Sequence, residues 1–186
     1  IVRFFGEKTM QILDNEPERL LEIPGIGRQK VEKIQESWTK QKEIKHIMVF
    51  LQGIGVSTGV AVKVFKAFGK DSIARVKHNP YCLADEVSGI GFKTADEIAE
   101  GLGLDKESEF RIRSGIRFAM SSLAKDGHVY AVREQLIRAG RELLGVREEL
   151  IVKGIMSETG KGIIEDNGRF YLPALYRAEL NVAWKM

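Results

Sequence analysis

The chain has 186 residues, 44% hydrophobic and 30% charged, with 29 Lys+Arg, 26 Asp+Glu, three His and one Cys. That composition builds a core with a solvated surface, and the length suits one or two small domains. A lone Cys82 excludes a disulfide framework and a cysteine-rich zinc site, no apolar run approaches the roughly 18–20 residues that cross a bilayer, and a net charge of +3 is too small to indicate a nucleic-acid partner by itself. A reducing cytoplasm is the expected compartment.

The charge is unevenly placed. Residues 1–27 carry net −2, residues 28–77 net +7, residues 78–105 net −5 and residues 106–186 net +3. The basic excess therefore lies in one stretch, which reads either as a solvated lysine-rich helical face or as the footprint of an anionic partner. Taken in order, the chain opens inside a helix and then presents three copies of one tripeptide: Gly25-Ile26-Gly27, Gly53-Ile54-Gly55 and Gly89-Ile90-Gly91. Each follows an apolar lead (Leu21 to Pro24, Phe50 to Gln52, Ala84 to Ser88). Each precedes a helical pattern (Val31 and Ile34, Val60 and Val64, Ala95 to Ala99).

The intervals between copies are 28 and 36 residues, and the surroundings of the first and third repeat at nearly the same offset. Phe4-Phe5-Gly6-Glu7-Lys8 resembles Ala67-Phe68-Gly69-Lys70-Asp71, and Pro17 matches Pro80 at 63, with one residue inserted before the next glycine turn. The repeating unit is thus a pair of glycine turns about 64 residues long. Residues 1–40 match only its second half, which predicts that the chain is a piece of a longer protein.

Two glycines one residue apart allow positive φ and close approach to another surface. At the start of a helix, the first amides lack intrahelical acceptors and the dipole adds partial positive charge, which suits a phosphate. Such a contact reads no base edges, so binding is expected to be sequence-independent and salt-sensitive. Ile23-Pro24-Gly25-Ile26-Gly27-Arg28-Gln29-Lys30-Val31 and Val87-Ser88-Gly89-Ile90-Gly91-Phe92-Lys93-Thr94-Ala95 resemble helix-hairpin-helix motifs. That resemblance implies a grip on DNA backbone phosphates by the turn amides and a nearby basic or hydroxyl side chain, assisted by a monovalent cation at hairpin carbonyls. The candidate phosphate-binding residues are Gly25, Ile26, Gly27, Arg28 and Lys30 in the first hairpin, and Gly53, Ile54, Gly55, Ser57 and Thr58 in the second. In the third they are Gly89, Ile90, Gly91, Lys93 and Thr94. Asp96, Glu97 and Glu100 on the third helix would repel a phosphate, so hairpins one and two are expected to carry most of the affinity and the third to be structural.

Residues 108–125 read as a helix with an apolar side (Phe110, Ile112, Ile116, Met120, Leu123) and a basic side (Arg111, Arg113, Arg117), stopped by Asp126-Gly127. His128-Val129-Tyr130 reads as extended, 131–144 and 147–158 as helices, and 162–172 as two strands around Asp166-Asn167-Gly168. Pro173 opens a last helix, 174–186. This is the element order of a winged helix. Glu148, Glu149 and Glu158 make its third helix acidic on balance, which argues against base readout there and for a compact connector.

No catalytic set emerges. No Gly-x4-Gly-Lys-Ser/Thr run is present, so no ATP site is expected in this segment. His46, His78 and His128 lack metal-ligand spacing, and Cys82, Trp38 and Trp184 read as packing residues. The expected fold is mainly α: a tandem helix-hairpin-helix domain over 1–105, a small winged-helix-like α+β domain over 106–174, and the start of a further helix over 175–186. The paired hairpins, Gly127-His128-Val129-Tyr130 and residues 170–179 together resemble the N-terminal region of bacterial RecD-like ATP-dependent DNA helicases, related to the exonuclease V α subunit. The resemblance implies a non-catalytic DNA-binding segment of a 5′→3′ helicase acting in repair, in the bacterial cytoplasm. Its partners would be single-stranded, duplex or forked DNA and a motor domain that holds ATP and Mg²⁺, with no membrane. The alternative is a scaffold that docks on the motor or a partner and has little DNA affinity of its own.

Overall fold

In the computed structural model, which describes residues 1–183, helices dominate and three short strands form one sheet. Trp184 and Met186, expected in the last helix, lie outside the described residues. The chain divides into two units: Ile1–Gly53 with Ser57–Ile73, and Ile54–Val56 with the residues from Ala74 onward.

The first unit opens with α1 (Val2–Phe5), a 3-10 turn at Gly6–Lys8 and α2 (Thr9–Asn15). A 3-10 segment, Pro17–Glu22, leads to the first glycine turn, then to α3 (Arg28–Gly53) and α4 (Thr58–Phe68). Gly6 joins α1 to α2 at φ +56°, a conformation side chains oppose, and the Thr9 hydroxyl donates to its carbonyl at 2.7 Å. Gly69 repeats this at φ +54°, with Ser72 donating to its carbonyl at 2.6 Å. Buried Leu20 likewise matches buried Leu83, so the 63-residue offset in sequence is an offset in structure.

The 26 residues of α3 make a rod about 39 Å long at a rise of about 1.5 Å per residue. Only Val31 near its start and Ile47 and Leu51 near its end are buried; Lys40, Lys42, Lys45 and His46 stand in solvent between them. At its N-terminal end, Val31 joins Ile12 and Leu20 in a small core backed by Ile23, Ile26 and Ile34. Asp14 on α2 accepts from Lys42 Nζ and Trp38 Nε1, both at 2.8 Å, and these two donors hold its carboxyl below the usual range. Trp38 thus ties α2 to α3.

α5 (Ser72–His78) carries the chain into the second unit, which holds α6 (Cys82–Glu86), α7 (Phe92–Gly101), α8 (Glu109–Lys125), β1 (Tyr130–Val132), α9 (Arg133–Leu144) and α10 (Glu148–Glu158). β2 (Ile164–Asp166), β3 (Arg169–Tyr171) and α11 (Pro173–Ala183) follow. The sheet is antiparallel in the order β1-β3-β2, which with the preceding helices gives the winged-helix-like arrangement expected. Asn167 at φ +50° and Gly168 at φ +74° supply the two successive left-handed residues that a tight hairpin requires. Ser108 caps α8 by accepting from Arg111 N–H, and Gly145 ends α9 in the left-handed conformation.

A shared core joins α7 to the elements that follow it. Phe92, Ala95 and Ala99 of α7 are buried in the same cluster as Ile112, Ile116 and Met120 of α8, Leu136 of α9, Ile151 and Ile155 of α10 and Phe170 of β3. The compact units divide between 73 and 74, with Ile54–Val56 also in the second, and the third hairpin shares its core with the winged-helix-like part. Cys82 is buried, and burial pushes its thiol up, in keeping with a packing role.

The basic side predicted for 108–125 is instead internal wiring. Arg111, 9% exposed, donates two hydrogen bonds to the Asp96 carboxylate (2.8 and 3.1 Å) and one each to the carbonyls of Lys106 and Leu144 (both 2.9 Å). Arg113 and Arg117 both bind Glu158, a carboxylate with no exposure, and Arg117 also reaches Asp85 at 2.8 Å. Burial opposes ionisation of Asp96, yet Arg111 and the Tyr81 hydroxyl, which donates at 2.7 Å, outweigh it and hold the carboxyl below its ordinary range.

Candidate nucleic-acid interface

The three glycine turns share one geometry once their register is set by conformation rather than by letters. The turn residue at positive φ is Gly25 (+83°) in the first copy, Gly55 (+83°) in the second and Gly89 (+77°) in the third. The residue before each following helix is Gly27, Ser57 and Gly91, and their carbonyls accept from the amides of Val31, Ala61 and Ala95, all three buried. The second turn is therefore Gly55-Val56-Ser57, and Gly53 is the last residue of α3. Its anchoring apolar residue is Val56, 6% exposed, which sequence inspection missed; Ile54, expected in that role, is only half-buried. Read this way, the copies recur at 30 and 34 residues rather than 28 and 36.

A signal for the correct register lies in the sequence itself. Ser57 before a helical run is a helix N-cap signature. Its hydroxyl accepts from Val60 N–H at 3.4 Å, so Ser57 replaces the second glycine with a cap.

All six glycines of the predicted sites are exposed, as are Arg28, Lys30, Ser57, Thr58 and Lys93; Thr94 is half-buried. The turns are fixed from beneath: Ile26 packs on the Ile12, Leu20 and Val31 core, and Ile90 is 4% exposed. Each hairpin thus presents backbone on the outside and an apolar anchor on the inside. In the first, Lys30 Nζ donates to the Gly25 carbonyl at 2.8 Å, which holds an ammonium group beside the amides of Arg28 and Gln29 that precede the first intrahelical acceptor. In the second, Gln52 Nε2 donates to Thr58 Oγ1 at 3.0 Å and leaves the hydroxyl proton to point elsewhere.

The corrected register also ranks the hairpins. Lys33, Lys63 and Glu97 occupy one equivalent position, and Lys30, Val60 and Thr94 another. The first hairpin has a cation at both, the second at one, the third an acid and a hydroxyl. Every Lys and Arg from 28 to 73 is exposed. The third hairpin differs in its supports too, since Asp85 and Asp96 on its two helices are bound by Arg117 and Arg111. Among the described residues, no three His, Cys, Asp or Glu side chains gather to hold a metal ion, and no helix is long and apolar enough to cross a membrane.

Comparison with known proteins agrees with this geometry. Residues 40–130 match the family described as the ATP-dependent RecD2 DNA helicase HHH domain, and residues 6–40 match the SAM-like helix-hairpin-helix tandem. The chain is 30% identical to the ATP-dependent RecD2 DNA helicase of Deinococcus radiodurans, over 98% of this chain and 28% of that protein.

Proposed function

The chain belongs to the helix-hairpin-helix region of RecD-like DNA helicases, and we propose that it acts there as a non-catalytic segment that grips DNA through its backbone. The observation that carries this function is the exposure of the glycine turns with Lys30 held at 2.8 Å from the Gly25 carbonyl. Exposed amides at a helix start, with a cation beside them, recognise a phosphate and ignore the base attached to it. The first and second hairpins carry most of the affinity, because Lys33 and Lys63 stand where the third has Glu97. The monovalent cation implied by such motifs has a substitute at the first turn, where the Lys30 ammonium already meets the Gly25 carbonyl. For the larger protein, the proposed activity is ATP-driven 5′→3′ unwinding in DNA repair, with ATP and Mg²⁺ bound by a motor domain.

A salt titration tests the grip. For fluorescein-labelled duplex between about 50 and 200 mM salt, log affinity is expected to fall linearly with log salt, and Lys30→Glu with Thr58→Glu to lower the slope by about 0.9 for each phosphate lost. Lys93→Glu is expected to change it less. Unchanged slope and affinity in the double variant, or no binding at low salt, would leave the scaffold function instead. The observation favouring that second function is the third hairpin, whose Ile90, Phe92, Ala95 and Ile98 are buried and whose Asp85 and Asp96 are bound to α8.

A further inference from the structure

The winged-helix-like part carries a surface that the hairpins do not account for. In β1, Ala131 is buried while Tyr130 and Val132 are each 37% exposed, so alternate residues of this strand point to opposite faces of the sheet. Tyr130 lies opposite Tyr171 and Val132 opposite Arg169, while Ile164 and Asp166 complete the same face from β2. The inner face, with Ala131 and Phe170, enters the core. On the outer face the Tyr130 ring rests against Tyr171, ring centres 5.7 Å apart; Tyr171 is itself buried, with Tyr176 of α11 at 5.2 Å, so Tyr130 is the ring this face turns to solvent. The exposed Arg169 guanidinium sits 4.8 Å from the centre of the Tyr130 ring.

We propose that this outer sheet face, centred on Tyr130 and Arg169, stacks unpaired bases of single-stranded DNA. A guanidinium and a phenol ring packed against each other offer flat, polarisable surfaces of about the size of a base, with positive charge for the adjoining phosphate. Arg133, exposed, follows Val132 at the end of this strand as the first residue of α9. The acid on this face, Asp166, accepts from Asn167 Nδ2 at 3.1 Å. A protein partner fits less well: Tyr130, Val132 and Arg169 present far less than the roughly 800 Å² per side of a stable protein interface. Duplex DNA fits less well too, because its bases already stack on one another and offer no free faces. The site is distinct from the phosphate grip of the hairpins and reads a different part of the strand.

The test compares an oligo(dT) of about fifteen nucleotides with an abasic strand of the same length, which keeps the phosphates and lacks the bases. Tyr130→Ala in this chain is expected to weaken oligo(dT) binding about tenfold and leave the abasic strand unchanged, while Tyr130→Trp keeps oligo(dT) binding. Tyr130→Leu, which keeps apolar bulk without a ring to stack, is expected to weaken oligo(dT) binding and spare the abasic strand as well. It serves as the deciding variant if melting shows that Tyr130→Ala unfolds. Equal losses on both strands, no loss in either variant, or no oligo(dT) binding by the unaltered chain would overturn the proposal. The hairpin variant Lys30→Glu with Thr58→Glu lowers both strands together, so failure of one site is distinguishable from failure of the other.

Discussion

Replacing Arg111 by methionine is expected to lower the stability of the second unit by about 3 kcal/mol, because removing one partner of a largely buried ion pair leaves the other uncompensated. Arg111 makes four hydrogen bonds, two to Asp96 and one each to the carbonyls of Lys106 and Leu144, which join α7, the loop before α8 and the end of α9. Methionine fills similar space and satisfies none of these acceptors. The cost lies at the lower end of the range for broken buried pairs because Asp96 is 29% exposed and borders a cavity of about 80 Å³ shared with Tyr81 and Leu104. For a chain of this length the melting temperature should fall by about 6–12 °C. Adding Asp96→Leu removes the stranded carboxylate, and the double variant is expected to be more stable than the sum of the single changes predicts. A drop of less than about 1 kcal/mol in Arg111→Met by urea unfolding would show that the pair is not a brace.

The same pair has a pH signature. The folded Asp96 carboxyl titrates below its unfolded value, so its stabilisation is present above the unfolded value, near pH 4, and is lost as pH falls through the folded one. In Arg111→Met the largest attraction is gone and burial then raises the carboxyl. The stability gap between variant and parent is therefore expected to narrow as pH drops below about 4, which melting curves across that range would reveal.

The second large effect is expected at Gly154, where α10 crosses α8. A Cβ at this position would collide with Ile112 Cγ2 and come within 2.5 Å of Ile116 Cδ1, and both isoleucines are buried, at 4% and 0% exposure. Gly115 on α8 makes a matching close approach to Leu144 of α9. Helices in such contact cannot accept added volume without moving apart, because the core is already close-packed. Gly154→Val should destabilise by about 3 kcal/mol, the upper part of the range for overpacking. Gly154→Val with Ile112→Ala should recover part of that loss, since alanine removes the colliding methyl. Equal melting temperatures for Gly154→Val and the parent would refute the close crossing.

Much of this molecule was legible because its information is local. A glycine turn before a helix, Asp126-Gly127 after an apolar run and Asp166-Asn167-Gly168 between two strands each determine backbone shape within a few residues, and the helices and wing lie where those residues place them. The second hairpin misled for the same reason. Gly53-Ile54-Gly55 copies the spelling of its neighbours, yet register is decided by which glycine takes positive φ and which residue four positions after the cap is buried. The arginines of α8 were illegible for the opposite reason. Their partners, Asp96, Asp85 and Glu158, stand 15 to 45 residues away, and no helical periodicity distinguishes a solvated arginine from one that the tertiary fold turns inward. The core shared by α7 and α8 was illegible likewise, since it is a fact of packing.

The uninterrupted α3 has a mechanical consequence. Because it is one rod from Arg28 to Gly53, its length is also an angle: each residue inserted in its middle would swivel α4 relative to α2 by about 100° about the helix axis and push it out by about 1.5 Å. Insertions of seven or eleven residues nearly restore the original bearing; insertions of two reverse it. The solvated middle of α3 can thus change its amino acids freely while its residue count stays locked, like a shaft whose keyways must line up at both ends.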